Sequence, residues 1–202
     1  MFVVDQTRIE VCGAIASGKT TLATRLSARL DGFAVFEKFR ENPFWSRFYA
    51  QPELFRPEKD VCFLAHHTGE IKAAGNGLVV CDYAPVQDLA YARLADDSAH
   101  VAMMEAVYRH LYGPLRRAAL VVHLKCATGE LLRRIHVRGR AEEFAIDAAY
   151  LVLLEQALAA LLAYADVPVM IVHSDTIDFA TEGAEADNLL NSIAERLSAV
   201  AP

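Results

Sequence analysis

The chain has 202 residues, of which 54% are hydrophobic and 23% charged, which predicts one globular domain spanning residues 1–202. Its formal net charge of −6 argues against a nucleic-acid polymer as partner, and no apolar stretch has the length or pattern of a signal peptide or a membrane span. The cysteines show no metal-ligand spacing, which predicts reduced, buried thiols in a cytoplasmic protein. They are Cys12, Cys62, Cys81 and Cys126.

The first predicted elements are a buried strand that runs to Ile15 and a helix that follows it. Between them, residues 13–20 read GAIASGKT and fit G-x-x-x-x-G-K-[ST] at every fixed position. In this context the loop's N–H groups and the positive end of the helix bind phosphates. Lys19 would bridge the β- and γ-phosphates, and the Thr20 hydroxyl would join a Mg²⁺ shell. We therefore expect the chain to bind a nucleoside triphosphate with Mg²⁺.

Four further apolar runs predict strands, and helical patterns separate them. The predicted strands are 33–36, 78–81, 119–124 and 169–173, and the predicted helices are 57–74, 86–94, 98–111, one from 128, 147–163 and 183–199. Prolines 43 and 52 predict irregular structure before the first of these helices. The alternation predicts an α/β fold, with a five-stranded parallel sheet covered by helices on both faces.

Two carboxylates follow predicted strands. Glu37 comes after the second strand and Asp82 ends the third, so both would lie beside the phosphate loop at the carboxyl edge of the sheet. Glu37 is a candidate general base for an attacking hydroxyl. Asp82, together with Glu37, is a candidate for the metal shell, because Mg²⁺ prefers oxygen ligands. The alternative for either residue is a solvated charge or a cap at a strand end.

An arginine-rich segment follows the fourth strand. Residues 133–140 read RRIHVRGR, and a mobile segment of this kind can place positive charge against a transferring phosphoryl group. A solvated basic helix face is the alternative. The candidate arginines are Arg133, Arg134, Arg138 and Arg140, with Glu142 and Glu143 just beyond them.

Aromatic residues are dense between the second strand and the long helix. Phe44, Trp45, Phe48 and Tyr49 could wall a pocket for a flat ring, or could simply be part of the core.

Together these segments resemble the deoxyribonucleoside kinase family, in particular a bacterial purine-kinase branch. The segments are GAIASGKTT, FEKFRENPFWSRFYAQPE, CDYAPVQDLAYARL, RRIHVRGRAEE and SDTIDF, in the family's order. The resemblance implies a P-loop NTPase-type fold, an arginine lid at about 133–143, and transfer of the ATP γ-phosphoryl group to a 5′-hydroxyl. It also implies a homodimer.

The resemblance assigns roles to individual residues. ATP would contact Gly13, Ala14, Ile15, Ala16, Ser17, Gly18, Lys19, Thr20 and Thr21, with its adenine near Asp175, Ile177 and Phe179. Glu37, Lys19, Arg134, Arg138 and Arg140 would be catalytic. The acceptor would contact Glu37, Phe48, Tyr49, Asp60, Phe63, His67, Asp82, Tyr83, Asp88 and Glu143, among which Tyr49 and Glu143 would hold the sugar.

The departures from the family pattern lie where the acceptor base would sit. Asp60 stands where the family usually has Gln, His67 where it has Arg, and Glu70 where it often has Gln, while Tyr83 replaces an arginine. Ionised Asp60 can only accept hydrogen bonds, so it suits a base edge with two donors, such as guanine N1–H and N2–H₂.

We therefore expect an ATP- and Mg²⁺-dependent kinase of a nucleoside, with guanine as the hypothesised base. The alternatives are a nucleoside monophosphate kinase, a kinase of another small alcohol, or a nucleotide-binding sensor without turnover. A monophosphate kinase would need extra basic residues for the acceptor phosphate, and this region offers Lys38, Arg40, Arg47 and Arg56.

Overall fold

A computed structural model, which describes residues 5–95, 97–181 and 183–200, contains a five-stranded parallel sheet. The strands are β1 (Gln6–Gly13), β2 (Phe33–Val35), β3 (Gly77–Cys81), β4 (Leu120–Lys125) and β5 (Val169–His173). Their order across the sheet is β2–β3–β1–β4–β5, with β1 paired to β3 and β4. This arrangement confirms the predicted fold class and brings the loops after β1, β2 and β3 to one edge.

Eight α-helices connect or cover the described strands. They are α1 (Lys19–Arg29), α2 (Trp45–Ala50), α3 (Pro52–Ala73), α4 (Val86–Ala92), α5 (Ser98–Leu111), α6 (Thr128–Arg138), α7 (Ala148–Ala163) and α8 (Ala184–Val200). Short 3₁₀ turns cover Phe39–Glu41 and Ala141–Glu143.

The two faces of the sheet bury different helices because side chains alternate along each strand. Ile9 and Val11 of β1 pack in a core with leucines of α1 and α8. Cys12 points to the opposite face, where its core includes leucines of α6 and α7. The helices therefore sandwich the sheet and leave its carboxyl edge open for a ligand.

One buried row of β1 is polar rather than apolar. Gln6, Arg8 and Glu10 share the Cys12 face and are at most 3% exposed. The Arg8 guanidinium lies 2.6 Å from Glu10 and also donates to Gln6 and to the Tyr112 hydroxyl. The network compensates the cost of burying both charges, as buried ion pairs require, and it links β1 to the end of α5.

The predicted end of the first strand and the predicted start of the long helix, both near the site, differ from the structure. β1 ends at Gly13 rather than Ile15, because Gly13 has a φ of 143° and the chain then turns, with the Ser17 N–H bonded to the Ala14 carbonyl. The long helix begins at Pro52 rather than Pro57. Proline is well suited to a first helical position, since no partner for its missing N–H is needed there. Pro57 lies inside α3 at the cost of one backbone hydrogen bond.

The described parts of the chain contain no helix with the length and apolarity needed to cross a membrane. Of the four free cysteines, Cys12 and Cys81 are buried as predicted, whereas Cys62 and Cys126 are partly exposed.

Candidate active site

A cavity of about 810 Å³ opens at the carboxyl edge of the sheet. Its walls come from the loop after β1, the ends of β2 and β3, helices α2, α3 and α4, the arginine segment, and the loop after β5. Nearly all sequence-predicted site residues lie on or beside this cavity. The cavity is large enough for a nucleotide and a small acceptor together.

The loop after β1 has the backbone of a phosphate cradle. Gly13, Ala16 and Gly18 all have positive φ values, of 143°, 65° and 101°. The first N–H groups of α1 have no acceptor within their own helix, and they begin at Lys19 on the cavity wall. The Lys19 ammonium donates to the carbonyls of Gly13 and Ala14 at 3.0 Å each. Burial lowers the pKa of Lys19, against the attraction of the nearby carboxylates.

Close packing requires glycine at both Gly13 and Gly18. A Cβ at Gly13 would lie 2.5 Å from the Leu124 carbonyl oxygen, and one at Gly18 would lie 2.9 Å from Cδ2 of Phe179. Phe179 is 5% exposed and belongs to the α1 core, although it also lines the cavity. Its neighbours Asp175 and Ile177 line the cavity with it. The predicted adenine loop is therefore fixed to the phosphate loop through the Phe179 ring.

The loop after β1 meets the two strand-end carboxylates in one corner. The Thr20 hydroxyl donates to Oδ2 of Asp82 at 2.8 Å, and the backbone N–H of Glu37 donates to Oδ1 of the same residue at 2.7 Å. Burial raises the pKa of Asp82 in spite of both hydrogen bonds. The ends of β1, β2 and β3 are thus joined through one carboxylate.

The Glu37 carboxylate lies next to a buried histidine. His67 Nε2 is 3.5 Å from Oε1 of Glu37, and His67 Nδ1 is 2.8 Å from Oδ2 of Asp88. Burial alone would lower the pKa of His67, but the two carboxylates outweigh it and raise that pKa to about 10. The charge of the neighbouring His67, with help from Lys19 and Arg140, outweighs the desolvation of the site and holds the pKa of Glu37 below its usual value. Burial raises the pKa of Asp88 against the attraction of His67.

Two predicted acceptor residues lie behind the cavity wall. His67 and Tyr83 do not line the cavity. The Tyr83 ring stacks on His67 with centroids 4.0 Å apart, and its hydroxyl donates to the His67 carbonyl. Tyr83 is therefore placed to hold His67, where the sequence predicted direct contact with the acceptor. This contact was not predictable from the sequence pattern, because Tyr83 follows β3 and His67 lies 16 residues earlier, within α3.

Asp60 lines the cavity but is not a free carboxylate. Its Oδ1 lies 2.7 Å from the Lys59 ammonium, and its Oδ2 lies 2.9 Å from His100 Nε2. Both oxygens of Asp60 thus have a partner that the sequence alone did not indicate. The partners were not predictable from spacing, because His100 is 40 residues away on α5.

The aromatic cluster both packs and faces the cavity. Trp45 contacts Tyr49 and Phe63 edge-on, at centroid distances of 4.9 and 5.6 Å, and Phe48 contacts Tyr49 at 5.3 Å. Trp45, Phe48, Tyr49 and Phe63 line the cavity, whereas the predicted Phe44 does not and packs against Phe55. Burial raises the pKa of Tyr49 well above its usual value, so its hydroxyl is a neutral hydrogen-bonding group. Such a wall suits a flat ring with a polar substituent.

The arginine segment faces the cavity with its side chains paired. Arg134 donates to Glu130 at 2.7 Å and to the Ser174 carbonyl at 2.8 Å. Arg138 and Arg140 each pair with the Glu143 carboxylate, which is 3% exposed. Glu143, predicted to hold the sugar, is thus bound to the arginines of its own segment.

Several residues that line the same cavity were not singled out from the sequence, and four of them have side chains that can bind or pack against an acceptor. They are Lys59, Gln87, Tyr91 and Tyr150. Gln87 accepts a hydrogen bond from the Gly13 N–H at 3.0 Å and donates to the Tyr91 hydroxyl at 3.3 Å. Lys59 could have been predicted from the sequence. It precedes Asp60 in a helix that also buries Phe63 and Leu64, and buried charges need polar partners.

The sequence is similar to known nucleoside kinases over most of its length. The family model described as deoxynucleoside kinase matches residues 9–198. A deoxyguanosine kinase of Bacillus subtilis is 25% identical over 93% of this chain and 96% of its own length. A deoxyadenosine/deoxycytidine kinase of the same organism is 27% identical over 70% of each chain.

Solved structures share the fold. A deoxyadenosine kinase from M. mycoides, with the products dCMP and a flexible dCDP bound, superimposes with a TM-score of 0.80 at 20% identity. The match covers 94% of this chain and all of the other. The same enzyme with bound dATP gives a TM-score of 0.77.

Proposed function

Because the chain belongs to the deoxynucleoside kinase family, we propose that it transfers the γ-phosphoryl group of ATP to the 5′-hydroxyl of a purine deoxynucleoside, with deoxyguanosine as the preferred acceptor. The observation that carries the proposal is the corner where Asp82 joins Thr20 of the phosphate loop to Glu37 at 2.8 and 2.7 Å. It sets a carboxylate with a lowered pKa beside the place for a terminal phosphate. A relative named deoxyguanosine kinase supports the base.

The chain's own residues divide the work. Lys19 and the loop N–H groups bind the phosphates, while Arg134, Arg138 and Arg140, which line the same cavity, supply further positive charge. Glu37 accepts the proton of the 5′-hydroxyl as that oxygen attacks. Catalysis of this kind consists mostly of positioning and charge stabilisation.

Mg²⁺ fits the same corner. Among the described residues, no cluster of three or more His, Cys, Asp or Glu side chains could hold a metal ion. A nucleotide-bound Mg²⁺ needs no such cluster, because it takes one or two protein ligands beside phosphates and water. The Thr20 hydroxyl, Asp82 and Glu37 offer those oxygen atoms. Bound there, the ion would neutralise charge on the phosphates.

A monophosphate acceptor is less well supported. The basic residues available near the acceptor segment make contacts elsewhere: Lys38 pairs with Glu70, and Arg47 and Arg56 lie over the rings of Phe55 and Phe48. None of these three lines the cavity.

The proposal includes a homodimer and a cytoplasmic location. Val152 and Leu153 of α7 are 41% and 55% exposed, which supports the homodimer that family resemblance implies; light scattering on the purified chain would measure it. Four free cysteines support a reducing compartment, the cytoplasm.

The test is phosphorylation of a panel of deoxy- and ribonucleosides and their monophosphates with Mg-ATP. We expect Glu37→Gln to lower kcat by about 10²–10⁴-fold, the range for loss of a general base. Glu70→Gln is the matched control, since its side chain is as exposed as that of Glu37, at 38%, but lies outside the cavity. Equal effects of the two substitutions, or transfer only to monophosphates, would overturn the proposal.

A further inference from the structure

The side of the cavity that would bind the nucleoside contains a buried cation, Lys59, which has no role in the proposed phosphoryl transfer. Lys59 of α3 is 8% exposed and lines the cavity. Its ammonium is 2.7 Å from Oδ1 of Asp60, 4.0 Å from the centroid of the Phe48 ring and 5.9 Å from that of Tyr91. A charge this deeply buried needs partners to compensate its lost hydration.

The partners present satisfy this ammonium only in part. An ammonium carries three N–H donors. Asp60 is its one ion-pair partner among the residues that the structure describes, and the Phe48 face attracts the charge without accepting a conventional hydrogen bond. The ammonium therefore retains donor capacity on the side that faces the cavity.

Two carboxylates that line the same cavity as Lys59 are each held by a histidine. His100 holds Oδ2 of Asp60 at 2.9 Å, and His67 holds Oδ2 of Asp88 at 2.8 Å. Each carboxylate oxygen has more than one lone pair, so both groups can still accept from a ligand. The side of the cavity that would bind the nucleoside thus presents one cationic hydrogen-bond donor, Lys59, and two carboxylates, Asp60 and Asp88, that can accept hydrogen bonds.

This set matches the edge of a 6-oxopurine. Guanine has acceptors at O6 and N7 and donors at N1 and N2, whereas adenine carries a donating amino group at position 6. A lysine or arginine typically reads guanine O6 and N7, while adenine is typically read by an amide such as Gln or Asn. An ammonium facing the adenine amino group would meet a donor that it cannot bond.

Resting on the proposed kinase function, we propose that Lys59 is the specificity residue of this site and donates to the 6-oxo group of the acceptor base. Asp60 orients the ammonium and, with Asp88, accepts from the base N–H groups. Lys59, rather than Asp60 alone, then favours guanine and hypoxanthine over adenine.

The first test needs no variant. The full-length wild-type enzyme is assayed with deoxyguanosine, deoxyinosine, 2-aminopurine deoxyriboside and deoxyadenosine under Mg-ATP. Deoxyinosine keeps the 6-oxo group and lacks the 2-amino group, and 2-aminopurine is the reverse. We expect kcat/KM for the two 6-oxo substrates to exceed that for the other two by at least about tenfold, the discrimination of one good side chain–base pair.

The second test is Lys59→Met, which keeps an unbranched side chain against the aromatic rings. We expect kcat/KM for deoxyguanosine and deoxyinosine to fall by about 10- to 100-fold, with less than about threefold change for the 6-amino and 6-unsubstituted substrates. Lys72→Met is the matched control, because Lys72 lies on the exposed last turn of the same helix.

Each outcome separates the two proposals. If no nucleoside is phosphorylated by the wild type, the proposed function fails and this inference fails with it. If nucleosides are phosphorylated but 2-aminopurine matches deoxyinosine, or if Lys59→Met lowers all four equally, the kinase stands and the role of Lys59 is refuted. The wild-type series decides the matter even if the variant does not fold.

Discussion

Replacing His67 by glutamine removes the cation between Glu37 and Asp88. Glutamine keeps a donor near one carboxylate but cannot carry charge. The imidazole lies 2.8 Å from Asp88 and 3.5 Å from Glu37, and the residue is 4% exposed. His67→Gln would leave the buried Asp88 carboxylate without its cation and Glu37 without its nearest positive charge, with Tyr83 stacked on an uncharged side chain.

The size of the effect follows from burial. Removing one partner of a buried ion pair costs about 3–5 kcal/mol. The rise of the His67 pKa from 6.5 to about 10 gives a similar figure, since each pKa unit corresponds to about 1.4 kcal/mol. A chain of this length loses roughly 2–4 °C of Tm per kcal/mol. We therefore expect His67→Gln to lower Tm by about 10 °C near neutral pH.

The pH dependence gives a sharper signature. Because the folded-state pKa of His67 is raised, its contribution to stability is complete below about pH 6.5 and is lost as pH rises towards 10. The difference in free energy of unfolding between wild type and His67→Gln should therefore shrink steadily over that range. The acidic limb of kcat/KM should also move to higher pH, because Glu37 loses the neighbouring charge that lowers its pKa.

Urea unfolding from pH 6 to pH 10 and a pH–rate profile measure both effects. His66→Gln is the matched control: it is the same substitution one residue away, on a partly exposed side chain that contacts Cys62. If both variants show the same pH-independent loss, or if the acidic limb does not move, His67 does not carry charge between these carboxylates.

Three further predictions concern the phosphate corner and the core. Asp82→Asn should raise the Mg²⁺ concentration for half-maximal activity by about tenfold or more, as one anionic ligand beside the phosphates is lost, and a Mg²⁺ titration measures this. Gly18→Ala should weaken ATP binding by calorimetry and lower the free energy of unfolding by about 1–3 kcal/mol, because it adds a 2.9 Å clash to a φ of 101°. Gly75→Ala, with a φ of 76° and open space around it, should show only the backbone cost. Arg8→Met should destabilise the chain by about 3–5 kcal/mol in urea by leaving Glu10 buried and unpaired, and Arg8→Met/Glu10→Gln should recover part of the loss.

What could be predicted from the sequence is mostly local or set by strand ends. The phosphate loop is encoded in eight consecutive residues, so its identity and position followed directly. Glu37 and Asp82 could be placed beside it because a parallel sheet brings the carboxyl ends of its strands together. The hydrogen bond from the Glu37 backbone N–H to Asp82 could not be predicted, because periodicity does not specify which oxygen accepts from which donor.

The acceptor wall was less predictable because it depends on how α3 packs. A 22-residue helix has several faces, and its contacts with α2, α4 and α5 decide which residues meet the cavity. The prediction recognised Asp60 but not its partners Lys59 and His100. It assigned His67 to the acceptor, whereas the structure sets it one layer behind, against Tyr83. The family pattern gave the positions, but side chains that differ from the pattern make new pairs.

The charge distribution along the cavity explains why a nucleoside, rather than its monophosphate, suits this site. The ATP end carries Lys19 and the arginines of α6 and the following turn, which attract phosphate oxygens. The acceptor end carries Glu37, Asp60 and Asp88, and its one ammonium is already paired with Asp60. An acceptor with its own phosphate would place negative charge beside these carboxylates, and like charges at short range repel each other. The same repulsion acts on the monophosphate product, so the arrangement that favours an uncharged acceptor also favours release of the product after transfer.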